Sequence, residues 1–185
     1  MKYQLRDYQK KASDAAVMYF KMKSGRNGLL VLPTGAGKSL IIADIAARLE
    51  EPLIVFQPNK EILEQNFAKL QTYGIWDCSI YSASVGRKEI SRITFATIGS
   101  VIRHMKDFQH FKNILIDECH LVKPSDGMYK RFFEQAERRI VGLTATPYRL
   151  YSCMNGSMLK FLTRTRPRVF SQVLYYCQVS ELLAK

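Results

Sequence analysis

The sequence predicts an α/β domain in which helices cover both faces of a mainly parallel sheet, and three observations predict it. Short apolar runs bounded by turn residues alternate with longer stretches of helical period, the pattern of strand–helix–strand units joined by right-handed crossovers. One such run, Gly28–Leu32, passes through a glycine-bearing loop directly into a helical stretch. The polar motifs all follow predicted strand ends, the rim at which open α/β sheets bind ligands.

The elements follow in order. A first helix is predicted from about Arg6 to Lys23, because Tyr8, Ala12, Ala15, Ala16 and Tyr19 recur at helical spacing. Gly28–Leu32 is the first strand, and Leu40–Leu49 is a helix with one apolar face. Leu53–Phe56 follows the turn at Pro52 as a second buried strand, and Pro58-Asn59 opens a helix carrying Ile62, Leu63, Phe67 and Leu70. Weaker strands are expected at Cys78–Tyr81 and Ile93–Ala96, then a helix from about Ile98 to Met105. Asn113–Ile116 is a strong strand ending in Asp117-Glu118. Pro124–Gly127 reads as a loop, Met128–Arg138 as a helix and Ile140–Leu143 as a further strand. Beyond it, Asn155-Gly156-Ser157 marks a loop, 168–176 a final strand, and Gln178–Ala184 a helix. There is no internal repeat or low-complexity tract.

At 185 residues the chain fits one domain with a sizeable core. Apolar content of 47% with 24% charge excludes the disordered and fibrous classes. No apolar run approaches the roughly 18 residues of a membrane span, and Lys2, Arg6 and Asp7 stand where a signal segment would be apolar. No membrane partner is therefore expected. Cys78, Cys119, Cys153 and Cys177 are widely spaced, so neither a zinc site nor a disulfide framework follows, and a reducing cytoplasm is the expected setting. The net charge of +12 suggests a polyanionic partner. Between Glu137 and Glu181 there is no acidic residue, while Arg138, Arg139, Arg149, Lys160, Arg164, Arg166 and Arg168 all fall there. Lys10, Lys11, Lys21, Lys23 and Arg26 add a second basic stretch. Such stripes either follow a phosphate backbone or form a solvated face.

Pro33-Thr34-Gly35-Ala36-Gly37-Lys38-Ser39 has the composition of a phosphate-binding loop in its required setting between strand and helix. Glycines let successive N–H groups point at one anion, and the helix N-terminus adds partial positive charge. Lys38 would reach the β/γ-phosphates and Ser39 would ligate Mg²⁺. The spacing departs from the strict G-x-x-x-x-G-K-[ST] form, since position 32 is Leu. At the far strand end, Asp117-Glu118-Cys119-His120 offers one carboxylate to hold Mg²⁺ through its waters and a second to orient an attacking water.

Together these two motifs resemble motifs I and II of superfamily 2 helicases and translocases of the DExH variety, spelled DECH here. The resemblance runs from residue 5 to about 150. It implies a RecA-like P-loop NTPase domain of three α/β/α layers, with ATP and Mg²⁺ as ligands and a bacterial or phage-like intracellular setting. Leu5-Arg6-Asp7-Tyr8-Gln9 resembles the adenine-reading segment, so Arg6 and Gln9 would join the nucleotide site. Val55–Glu61 with Gln65-Asn66 resembles motif Ia, and Thr97-Ile98-Gly99-Ser100 resembles motif Ib. This implies that Asn59, Lys60, Thr97, Gly99 and Ser100 contact a sugar-phosphate backbone, while Asn59 and Ser100 also read as helix caps. Thr144-Ala145-Thr146 resembles motif III, whose hydroxyls would reach Asp117, Glu118 or His120 and couple the two sites. His120 reads either as that coupling group or as a structural histidine.

Leu32–Leu40 and Gly142–Leu150 carry a narrower resemblance to RadD-like and type III restriction-subunit DNA helicases. The implied partner is DNA, with RNA as the alternative. Members of the superfamily carry a second RecA-like lobe that supplies the transition-state arginines, and nothing after Thr146 matches it. Residues 151–185 are expected to lead toward such a lobe, and hydrolysis by the chain alone is expected to be very slow. A P-loop kinase and a nucleotide-gated interaction module without motor activity are the rival readings.

Overall fold

The computed structural model of the chain describes residues 4–22, 25–123, 127–153 and 156–183. Helix α1 (Asp7–Lys21) buries Tyr8, Ala12, Ala16, Val17, Tyr19 and Phe20 along one stripe, as the sequence period requires. Strand β1 (Gly28–Val31) leads to α2 (Lys38–Arg48), β2 (Leu53–Phe56) to α3 (Lys60–Thr72), and β3 (Cys78–Ser82) to the short β4 (Arg87–Lys88). Then come β5 (Ile93–Ala96), α4 (Ile98–Val101), a 3-10 turn at Met105–Phe108, β6 (Asn113–Ile116) and a second 3-10 turn at Cys119–Leu121. The chain continues through α5 (Met128–Phe133), β7 (Arg139–Thr144), the hairpin β8 (Tyr148–Cys153) and β9 (Gly156–Phe161), a 3-10 turn at Leu162–Arg164, β10 (Gln172–Tyr176) and α6 (Val179–Leu183).

Eight strands form one sheet in the order β10-β1-β7-β6-β2-β5-β3-β4, parallel except for the edge pair β3–β4. Strands β1, β2, β5 and β6 are buried throughout, which is why they read as short, mostly apolar runs, with Thr94 and Asn113 as buried polar members. Their side chains alternate between two cores. Leu30, Leu32, Val55, Phe95 and Leu115 pack with α1, α2 and α3, whereas Leu29, Val31, Ile54, Phe56 and Ile114 pack with α4, α5 and the aromatic cluster around Phe108 and Phe111. The expected three-layer α/β/α architecture is thus present. Helices α1 and α2 are also tied by polar contacts: Ser13 donates to the Asp44 carboxylate, and Arg48 pairs with Asp14 at 2.7 Å and Asp44 at 3.1 Å.

Four expected elements differ. The helix expected to reach Met105 ends at Val101, and the chain then turns so that Phe108 sinks against Tyr81, ring centroids 4.8 Å apart. The helix expected to reach Arg138 ends at Phe133, because the Arg138 guanidinium turns back into the core. It donates to the carbonyls of Phe132 (3.1 Å), Phe108 (3.3 Å) and Phe111 (2.6 Å), and a straight helix cannot deliver those contacts. The expected loop at Asn155-Gly156-Ser157 falls within a hairpin instead, with Gly156 and Ser157 in β9; Asn155, like Pro124–Asp126 of the other expected loop, lies outside the described residues. The last strand is confined to Gln172–Tyr176 and pairs parallel with β1.

Candidate active site

The loop after β1 curls through two left-handed glycines, Gly35 (φ 84°) and Gly37 (φ 74°). A residue with a Cβ pays roughly 1–2 kcal/mol for that conformation. Ala36 N–H donates to Pro33 O at 3.1 Å, closing the turn, and Gly37 O accepts the first α2 bonds from Leu40 and Ile41. Among the described residues, no hydrogen bond takes the N–H groups of Gly35, Gly37, Lys38 or Ser39. These unclaimed donors at the start of an 11-residue helix form a seat for an anion.

Gln9 is brought to this loop from α1. Its Nε2 donates to Ala36 O at 2.9 Å, and its Oε1 accepts Arg6 N–H at 2.9 Å. The amide is buried and fastens the helix to the loop, so in this state it is a brace. One amide hydrogen and one oxygen lone pair remain uncommitted.

Asp117 and Glu118 emerge where β6 ends. The Asp117 N–H continues the ladder by donating to Phe56 O at 3.0 Å. Its carboxylate accepts Glu118 N–H at 3.0 Å on one oxygen and Asn66 Nδ2 at 3.2 Å on the other. Asn66 also donates to Gln57 Oε1 at 3.1 Å, which locks its orientation. Burial pushes the Asp117 carboxyl up, opposed chiefly by the Lys38 ammonium. The next residue, Glu118, is left-handed (φ 47°, ψ 47°), a conformation that costs a non-glycine residue about 1–2 kcal/mol. That bend directs its carboxylate across the site, where one oxygen pairs with Lys38 Nζ and the other lies 3.3 Å from His120 Nδ1. His120 Nδ1 is also 3.0 Å from Thr144 Oγ1, which in turn accepts Thr146 N–H at 3.0 Å. Among the described residues, the threonine segment therefore meets the carboxylates through His120.

Among the described residues, no group of three or more His, Cys, Asp or Glu could hold a metal. The donors that suit a hard cation are the Ser39 hydroxyl and the Asp117 carboxylate, whose two oxygens each keep a lone pair. This matches the way Mg²⁺ is bound, through one or two protein oxygens together with phosphate and water.

Asn59, Lys60, Thr97, Gly99 and Ser100 do come together, lining an open cleft of about 420 Å³ with Arg103. Asn59 is a true helix cap, its Oδ1 accepting Ile62 N–H at 2.9 Å. Ser100 lies inside α4, and its hydroxyl accepts Ala83 N–H at 2.8 Å, so the expected cap is not formed there. Thr97 Oγ1 sits 2.9 Å from Ser100 Oγ and 3.2 Å from Ser82 Oγ. A second cleft, of about 240 Å³, is lined by Gln57, Thr97, Gly99, Asp117 and Glu118, so the carboxylates and the cleft with Asn59 share a wall.

Two contributors were not legible as such. Asn66 appeared only as part of a motif, without its bond to Asp117. Arg149 appeared as one cation of a basic stretch and within Gly142–Leu150, without a role of its own, yet it donates to His120 O (3.1 and 2.7 Å) and to Val122 O. It therefore satisfies carbonyls at the end of the turn that carries Glu118 and His120. No helix among the described residues is long and apolar enough to cross a membrane.

Comparison with known proteins sets this geometry in context. A sequence model of the type III restriction enzyme res subunit matches residues 2–149. The DNA 3'-5' translocase XPB2 of Sulfurisphaera tokodaii is 30% identical over 151 residues, 80% of this chain and 32% of that protein. The DNA 3'-5' helicase XPB of Mycobacterium tuberculosis is 29% identical over 154 residues, 78% of this chain and 27% of its own length. The chain thus spans a third or less of these relatives. In fold, it is similar to a nuclease-deletion mutant of the type ISP restriction-modification enzyme LlaGI solved with a DNA substrate mimic. That match has a TM-score of 0.68 at 16% identity, covering 98% of this chain and 20% of the other.

Proposed function

From the premise that this chain belongs to the type III restriction enzyme res-subunit family, within the superfamily 2 helicases and translocases, we propose that it is the ATP-binding lobe of an ATP-dependent DNA translocase or helicase. The observation that carries the reading is the Lys38–Glu118 pair. It joins a loop of unclaimed N–H groups to the carboxylate turn across the space that a terminal phosphate would fill.

Nucleotide phosphates enter the seat formed by Gly35, Ala36, Gly37, Lys38 and Ser39, with Pro33 and Thr34 forming its approach. Lys38 exchanges Glu118 for phosphate oxygen, and Glu118 is then free to accept a proton from water. Mg²⁺, held by Ser39 and Asp117, would neutralise charge on the phosphate oxygens. Asn66 fixes the Asp117 carboxylate, and His120 transmits the state of Glu118 to Thr144 and Thr146. For Gln9 and Arg6 to read adenine, the amide must add a base to its present contacts with Ala36 and Arg6. DNA lies along Asn59, Lys60, Thr97, Gly99 and Ser100 through its backbone, a mode that would also admit RNA. Residues 151–185 lead toward a second lobe bearing the arginines, within the same protein or in trans. Cys78, Cys119 and Cys177, free among the described residues, suit the reducing cytoplasmic setting that belongs to this reading.

Without those arginines the chain should bind Mg-nucleotide and turn it over very slowly, since an arginine finger is worth about 10³–10⁵ in rate. Binding of a fluorescent ATP analogue, measured with parent and Lys38→Ala chains, tests the seat. ATPase with and without single-stranded DNA, in parent and Glu118→Gln chains, tests the coupling. Nucleotide affinity indifferent to Lys38→Ala, or brisk DNA-independent hydrolysis by the parent chain, would overturn the proposal.

A further inference from the structure

The basic stretch between Glu137 and Glu181 separates into two populations. Arg138, Arg139 and Arg149 are consumed internally: the first on three carbonyls, the second on Glu51 at 2.6 Å and Phe20 O at 3.3 Å, the third on His120 O and Val122 O. Lys160, Arg164, Arg166 and Arg168 are exposed, and among the described residues no salt bridge engages any of them. All four lie on or just after the β8–β9 hairpin.

That hairpin has an unusual face. Its register sets Tyr148 opposite Phe161 and Leu150 opposite Leu159, so these four side chains share one side. Leu150 and Leu159 are 67% and 66% exposed, and Tyr148 is 47% exposed while its ring meets Phe161 edge-on at 5.3 Å. A cross-strand leucine pair left open to water forfeits most of the burial that normally stabilises a two-stranded ribbon. The hairpin is nonetheless held firmly at its base. Arg149 anchors it to the carboxylate turn, and Leu162 N–H donates to Pro147 O at 2.8 Å. It rises directly from Thr144–Thr146, on the same carboxyl rim of the sheet as Asn59, Thr97 and Ser100.

We infer that the β8–β9 hairpin, with the cations that follow it, is a docking surface for an unpaired nucleic-acid strand. Charge complementarity selects this occupant: a stretch without any carboxylate, carrying four exposed cations free of salt bridges among the described residues and close to exposed apolar side chains, fits a ligand with regular negative charge and exposed ring faces. An unpaired strand offers both, whereas a duplex offers phosphates but hides its bases. Tyr148 provides a stacking surface, Leu150 and Leu159 cover base faces, and Arg164, Arg166 and Arg168 neutralise phosphates, while Lys160, opposite Arg149 on the other face of the ribbon, adds to the positive field. Because Arg149 ties the ribbon to His120 O, a strand seated here bears on the turn that holds Glu118.

This inference rests on the nucleic-acid reading above, and its test separates the two. Affinity of the 185-residue chain is measured by fluorescence anisotropy for a labelled oligothymidine of about 20 nucleotides, longer than a usual single-strand site, and for a duplex of equal length. The variant Leu150→Ser/Leu159→Ser should bind the single strand about tenfold more weakly while its duplex affinity changes by less than about twofold. The variant Arg164→Gln/Arg166→Gln/Arg168→Gln should weaken both and lower the salt slope for the single strand by about two. Circular dichroism melting verifies that each variant is folded, and Arg166→Gln alone serves as a second, milder substitution should the triple variant fail to fold. A parent chain that binds no nucleic acid overturns the functional reading itself. Parent binding with unaltered single-strand affinity in the leucine variant, or equal losses for single strand and duplex, overturns this inference alone. So does a leucine variant that changes only its oligomeric state, because the face is then a protein contact.

Discussion

Gly142→Ala perturbs the junction between the sheet and the carboxylate turn with a single methyl group. Gly142 lies inside β7 with extended backbone, so no left-handed conformation is at stake. The constraint is space. An added Cβ would fall 2.5 Å from Cys119 Sγ, 2.7 Å from Cys119 Cβ and 2.7 Å from Phe170 Cζ. Carbon contacts are optimal at about 3.5–4.0 Å, so both neighbours must retreat by roughly 1 Å, and both are buried with nowhere easy to go. Overpacking of this kind costs about 1–3 kcal/mol. For a chain of this size that corresponds to a fall in Tm of about 2–12 °C. Cys119 is flanked by Glu118 and His120, so the methyl also pushes on the turn that carries them. Gly142 pairs with Leu29, four residues before Pro33, so affinity for a fluorescent nucleotide should change far less than Tm does. Scanning calorimetry and nucleotide titration of parent, Gly142→Ala and Gly142→Ala/Cys119→Ala chains measure this. The double variant should recover part of the lost Tm, because the nearest clash is with sulfur. An unchanged Tm for Gly142→Ala, or no recovery in the double variant, would refute the packing argument.

Two further outcomes are expected. Arg138→Met should destabilise the fold by about 1–3 kcal/mol in urea titration, since three carbonyls lose their donor; part of that loss is offset because burial already holds the guanidinium down to about 10. A midpoint matching the parent would contradict the role assigned to that side chain. Arg149→Met should speed amide hydrogen exchange at Leu121 and Val122, whose N–H groups donate to Glu118 O and Cys119 O, before it alters nucleotide affinity; unaltered exchange there would mean that the guanidinium is not what steadies the turn.

What the sequence revealed and what it hid follow from the range over which each element is determined. Leu53–Phe56, Ile93–Ala96 and Asn113–Ile116 were legible to the residue because a strand buried on both faces must be mostly apolar; the polar members, Thr94 and Asn113, are buried with hydrogen-bond partners. The tight turn at 33–39 was legible because its left-handed glycines and the helix start are local requirements. By contrast, the end of α5 depends on where the Arg138 guanidinium finds three carbonyls, two of them contributed by Phe108 and Phe111. No helical pattern at Met128–Arg138 could foretell that. The hairpin escaped notice because its apolar face is turned to solvent, so its alternation reads as polarity mixed with leucine. Gln9, Asn59 and Ser100 were legible as positions; their bonds to Ala36, Ile62 and Ala83 emerged only in three dimensions.

The neighbours of β1 bear on how the chain comes to fold. The strand that carries the phosphate loop is flanked by β7 and β10, and Val31 pairs with Thr144 on one side and Tyr176 on the other. Both partners lie over a hundred residues further along the chain. The loop is contiguous in sequence, but the cradle that orients it closes only after two long-range parallel pairings have formed. Such pairings bear the full entropy of loop closure before any contact offsets it, which makes them slow. On the ribosome, residues 33–39 emerge early and must wait for residues 172–176 before β1 gains its outer partner. Until then β1 presents an open apolar edge, an opportunity for a chaperone or for another nascent chain.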